Sequence, residues 1–317
     1  MDLYNNRMCN KMENESPGFL LITFLTKRPL ILALIPLLLL SYLVGWFYQN
    51  TTFEMNLFIP GETNQPIQFL EGVILVVVAI LSGVLIVIAI KRRFEKILKI
   101  FFSIGLFISS VSVFWLHGYL ISISYSSSVT ESTPLFTIIK WVELITAIIG
   151  IIVGSLSFVI FILNKGNPII KNITVFVIGL AIGSVFGLIL HSATFFTLLI
   201  LISLFDIYSV FRGPISKIFK RTNFSIIPQN YTTEERLVGI GIGDFVFYSA
   251  LVTFVSSNYG LILGACTIIG IVVGIKITEK MLYRYNKFPG LPIPIFLSLF
   301  LFGIGWIIIN YILGAAN

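Results

Sequence analysis

Nine apolar runs, each close to the length that carries a helix through a bilayer, constrain this chain more than any other feature. A hydrocarbon core takes about 20 helical residues to cross. The runs fall near 29–48, 67–90, 97–124, 138–163, 172–190, 193–212, 237–256, 259–277 and 289–314. Only His191-Ser192 separates the fifth from the sixth, yet about 40 unbroken apolar residues would overshoot the membrane, which predicts a break there. Ser257-Asn258, with Tyr259-Gly260, gives a turn signal between the seventh and eighth. The expectation is an all-α polytopic membrane protein with nine transmembrane helices. Composition agrees, since only 11% of residues are charged, against about 25% in a soluble domain.

The basic residues orient the spans. Arg7, Lys11, Lys27 and Arg28 precede the first span, and the connection at 49–66 holds none. Lys91, Arg92, Arg93, Lys96 and Lys99 mark the next connection, and 125–137 holds none. The alternation continues to the C-terminal end, with Lys140 as the exception. Positive-inside then predicts an integral, multi-pass protein with a cytoplasmic N-terminus and an external C-terminus. The net charge of +7 sits in these short loops, so it reads as membrane orientation and no nucleic-acid partner is expected. Residues 1–27 read as a cytoplasmic tail without signal-peptide order, and its apolar stretch Gly18–Leu25 as an interfacial segment. Cys9 and Cys266, one in the polar tail and one in a span, imply no disulfide framework.

Against this apolar background stand two acids. Of three aspartates, Asp2 lies in the tail, while Asp206 and Asp244 lie within spans six and seven. An ionisable group at bilayer depth costs about 2.5–3.5 kcal/mol or more and marks a functional site by default. Asp206 is six residues from Arg212, roughly 9 Å along a helix; Asp244 is eight from Arg236, roughly 12 Å. The two therefore share a depth near the inner face on consecutive antiparallel spans. Two carboxylates brought together in low dielectric hold one proton between them. One can then take a proton from water while the other polarises a carbonyl, which is the division of labour for hydrolysing a peptide bond. The same pair could line the path of a cation channel or transporter. Glu71 and Glu143 lie near outer ends and read as interfacial; His117 and His191 also lie toward the outer side and read as packing residues.

Two backbone features flank the pair. Gly239, Gly241 and Gly243 alternate ahead of Asp244. Gly239 and Gly243 alone would be a close-packing signature of membrane helices; all three weaken helix and let another backbone approach. Pro289, Pro292 and Pro294 crowd the inner end of span nine, where one proline would suffice to start a helix. The surplus predicts extended backbone, which at that depth must be buried in protein or line a watery cavity.

Phe205-Asp206, Gly241-Ile242-Gly243-Asp244 and Pro289-Gly290-Leu291 together resemble the presenilin and signal peptide peptidase group of intramembrane aspartyl proteases. The longer string Gly241–Ser249 resembles the presenilin branch, as do nine spans and an external C-terminus. The specific resemblance covers about 195–300. It implies a scaffold of five helices over 28–192 and a catalytic half over 193–317. It implies that Asp206 and Asp244 are catalytic and that Gly241, Ile242, Gly243, Pro289, Gly290 and Leu291 hold extended substrate. Substrates would be single transmembrane helices, and no metal or cofactor would be needed. Phe205 stands where the family has Tyr and loses a hydroxyl; Gly290 stands where it has Ala and is expected to loosen the motif. The short polar connection 213–235 implies a single uncut chain, as in archaeal presenilin homologues. A prepilin-type peptidase shares Gly-x-Gly-Asp but has fewer spans and lacks the Pro-x-Leu element.

Overall fold

The computed structural model describes residues 21–24, 30–48, 65–92, 94–126, 134–163, 168–212, 238–285 and 288–313. Among them are nine α-helices: α1 (Leu30–Phe47), α2 (Gln65–Lys91), α3 (Glu95–Ser126), α4 (Pro134–Leu163), α5 (Pro168–Ile189), α6 (Ser192–Phe211), α7 (Ile242–Tyr259), α8 (Leu261–Tyr285) and α9 (Pro292–Ile307). A π-helical stretch, Ile308–Leu313, continues α9. Each helix coincides with one apolar run. α4, α5 and α9 begin on prolines, whose missing N–H costs nothing in a first turn. α5 and α6 break at Leu190-His191 as expected, and Gly260 takes φ 91° to turn α7 into α8, a conformation that suits glycine.

Among the described residues, six helices are long and apolar enough by themselves to cross a membrane: α2, α3, α4, α6, α8 and α9. Over the residues whose side chains are described, α1 and α5 contribute shorter apolar lengths, Leu34–Phe47 and Ile173–Ile189. α7 carries Asp244, six hydroxyl residues and Asn258 in 18 residues, and is too polar to be one of the six. It tolerates this because its middle is enclosed: residues 248–256 are all buried. α7 packs on α5, α1 and α8; α8 pairs along its length with α9; α3 pairs with α4; α6 leans on α2.

Glycines set the closest of these approaches. A Cβ on Gly187 would meet the Ala250 carbonyl and the Phe254 amide, so α5 and α7 touch backbone to backbone. Hydroxyls add polar contacts between helices. Thr253 Oγ1 donates to the Ser41 carbonyl at 3.0 Å and Ser249 Oγ to that of Leu180 at 3.1 Å. Such bonds average about 0.6 kcal/mol in membranes, so they fix rotation more than they add stability. By contrast, α6 and α7, which carry the two aspartates, come close at isolated points only. They meet through large rings, with Phe195 stacked on Phe254 at 4.2 Å between centroids.

Two short strands accompany the helices. β1 (Leu21–Phe24) pairs antiparallel with β2 (Val238–Gly241), with Leu21 opposite Gly241 and Phe24 opposite Val238. Over 21–24 the expected interfacial segment is therefore a paired strand; residues 18–20 and 25 lie outside those described. The run read as span seven from 237 accordingly begins as strand, and its helix starts at Ile242. Gly239 sits in β2 and Gly243 has nothing within 4 Å of a built Cβ, so this pair is not a helix-packing seam.

Candidate active site

Asp206 lies in the last turns of α6, and Asp244 in the first turn of α7. Each is partly buried. Gly241 caps α7 in an extended conformation, φ −67° and ψ 141°. Its amide faces the Asp244 carboxylate, and its own built Cβ would lie 3.3 Å from Asp244 Oδ2. Asp244 thus occupies the third helical position and reaches back to the cap amide, the acidic half of a capping box. The glycine there leaves room for that fold-back.

The loop ahead of α9 joins the two acids. Phe288 and Pro289 lack regular structure, Gly290 and Leu291 form a bend, and Pro289 and Leu291 are buried. Leu291 donates its backbone N–H to Asp206 Oδ2 at 3.1 Å, and the Gly290 amide is turned to the same carboxylate. On its other side Gly290 lies against Asp244, where a built Cβ would collide with Oδ2. Asp206 and Asp244 are close enough to interact electrostatically. The structure therefore brings Asp206, Asp244, Gly241, Pro289, Gly290 and Leu291 to one place, at the C-terminal end of α6 and the N-terminal end of α7. Gly243 opens into space beside them, and of Ile242 the structure describes the backbone as the first residue of α7.

At Gly290, where the motif was expected to be looser, the missing Cβ leaves room for the Asp244 carboxylate against the backbone. Phe205 is partly buried, its ring 6.4 Å from that of Tyr208. Phe211 and Phe288 meet edge to face at 6.3 Å and fasten the end of α6 to the loop.

Sequence reading overlooked Tyr248. It is buried on α7, and its hydroxyl donates to the Gly290 carbonyl at 2.8 Å, within electrostatic reach of both aspartates. Its spacing held the clue: position i+4 from Asp244 lies on the same helix face. Other polar groups lie elsewhere. His117 bonds Ser184 Oγ at 2.9 Å and the Val113 carbonyl at 2.9 Å, between α3 and α5. His191 precedes α6 at the end opposite Asp206, roughly 22 Å away along the helix. Glu143 accepts from Trp115 Nε1 at 2.9 Å on an exposed face. Glu71 is 1% exposed, so it is a buried residue and not an interfacial one.

Three similarities bear on this arrangement. Residues 216–312 match the family model for presenilin. That segment contains Asp244 and Pro289–Leu291; Asp206 lies before it. Presenilin-B of Dictyostelium discoideum is 33% identical over 118 residues, which span 33% of this chain and 24% of that relative's length. A solved structure described as a presenilin family intramembrane aspartate protease superposes with a TM-score of 0.54 at 17% identity. The superposition covers 87% of this chain and 98% of that one, and speaks for the fold alone. The chain is a multi-pass membrane protein whose C-terminal region, 216–312, is similar in sequence to presenilin and whose fold is similar across most of its length to that of a presenilin family structure.

Proposed function

We propose that this protein is an intramembrane aspartyl endopeptidase of the Gly-x-Gly-Asp type, with Asp206 and Asp244 as its catalytic pair. The observation that carries the reading is the convergence of both carboxylates on the Gly290–Leu291 backbone, beside the open space at Gly243. One carboxylate takes a proton from water, whose oxygen attacks the peptide carbonyl carbon. The other, protonated, gives its proton to the carbonyl oxygen. The tetrahedral diol then collapses: its C–N bond breaks as the nitrogen takes a proton, and the pair is left sharing one proton again. The pair acts as a unit, so neither acid has a fixed role.

Gly241, Ile242, Gly243, Pro289, Gly290 and Leu291 form the backbone rim against which extended substrate lies. Substrates are single transmembrane helices with an external N-terminus, given a cytoplasmic N-terminus and an external C-terminus for the enzyme. The scaffold half, 28–192, seats α7 through α1 and α5; the half from 193 to 317 supplies the acids and the loop.

The test is purified protein in detergent with a fluorescent transmembrane peptide. Cleavage by wild type, reduced at least a thousandfold in both Asp206→Ala and Asp244→Ala, is the expected result; losses of that order follow removal of an essential acid or base. Cation flux through liposomes, without cleavage of any helix, would place the same acids in a transport path and end the protease reading.

A further inference from the structure

We propose that Tyr248 is a positioning residue of this site, holding the Gly290 carbonyl so that the Leu291 amide is presented to Asp206. The carbonyl of Gly290 and the N–H of Leu291 belong to one planar peptide unit. Tyr248 grips one edge of that plane at 2.8 Å and Asp206 grips the other at 3.1 Å. A peptide plane held at both edges has no freedom to rotate about its long axis. Gly290 is thereby also kept flat against Asp244. One phenol on α7 therefore fixes the relation between the carboxylate of α6 and that of α7, two helices whose backbones barely meet.

Tyr248 is suited to this task. It is 2% exposed, and it lies one helical turn from Asp244 on the same element, so the two move together. Phe205, directly before Asp206, has no hydroxyl to offer. The backbone consequence of this grip stands independently of the protease reading; its kinetic consequence rests on that reading.

The test compares wild type, Tyr248→Phe, and Tyr248 replaced by 4-aminophenylalanine, which keeps a donor at the ring's para position. Two quantities are measured in detergent: cleavage of a fluorescent transmembrane peptide, and hydrogen–deuterium exchange across 288–295. Loss of the hydroxyl is expected to lower kcat about tenfold or more, as misplacement of reacting groups does. KM should stay within about twofold, and exchange at Leu291 should speed up by at least tenfold. The amino side chain should recover most of both. A residue that only supports folding would lower the thermal midpoint and leave the kcat–KM split unmoved. If the Phe variant does not fold, 4-methylphenylalanine serves as the donor-free side chain of matching size. Unchanged exchange, or kcat within twofold of wild type, overturns the proposal. Faster exchange in a protein whose wild type cleaves nothing leaves the grip standing and overturns the protease reading instead.

Discussion

A single missing methyl decides how near Asp244 comes to the loop. At Gly290 a Cβ would strike Asp244 Oδ2, the movable end of a side chain rather than backbone. Gly290→Ala is therefore expected to leave the thermal midpoint within a few degrees, while displacing the carboxylate and lowering kcat several-fold. Parallel unfolding and turnover assays check this, and a large loss of stability with full activity would contradict it. The two acids were legible in the sequence because charge inside an apolar run is costly. That Asp206 and Asp244 meet at one peptide unit was not, since spacing gives depth along a helix but not its rotation. Tyr248 escaped notice for a related reason. A tyrosine in a membrane span is unremarkable until the partner of its hydroxyl is known, and that partner is a backbone carbonyl 42 residues away.

Rotation is settled by how the helices seat. α7 is locked by the contact of Gly187 with its backbone and by Thr253 and Ser249 bonding to α1 and α5. Gly187→Leu would force α5 from α7, at a cost of about 1–3 kcal/mol for overpacking, seen as a lower unfolding midpoint. Because Asp244 rides on α7, activity should fall with it. Hydropathy found every helix but misplaced particular ends. Span eight was read to 277, whereas α8 runs to Tyr285 through Lys276, Lys280 and Arg284. Apolar pattern marks where the membrane ends, and a helix can continue beyond it. Span seven was read from 237 because Val238-Gly239-Ile240-Gly241 is apolar, yet glycine at alternate positions leaves it extended and free to pair with Leu21–Phe24.

For the whole molecule, positive-inside makes a checkable statement. Single cysteines placed at 55 and at 225 should react with an impermeant maleimide from opposite faces of sealed vesicles, the first from outside and the second from inside. Labelling of both from one face would break the nine-span orientation. Blots of active protein should show one uncut chain; two stable fragments meeting near 213–235 would contradict this. α7 is packed among α1, α5 and α8, whereas α6 leans on α2, touches α9 and reaches α7 through aromatic rings. The relation of the two acids therefore depends on the tilt of α6 as well as on the loop both acids hold. Hydrophobic mismatch acts on tilt, so lipid thickness should gauge the gap between them. Turnover in liposomes of short, matched and long acyl chains is expected to peak at one thickness, with the acids too close or too far apart on either side.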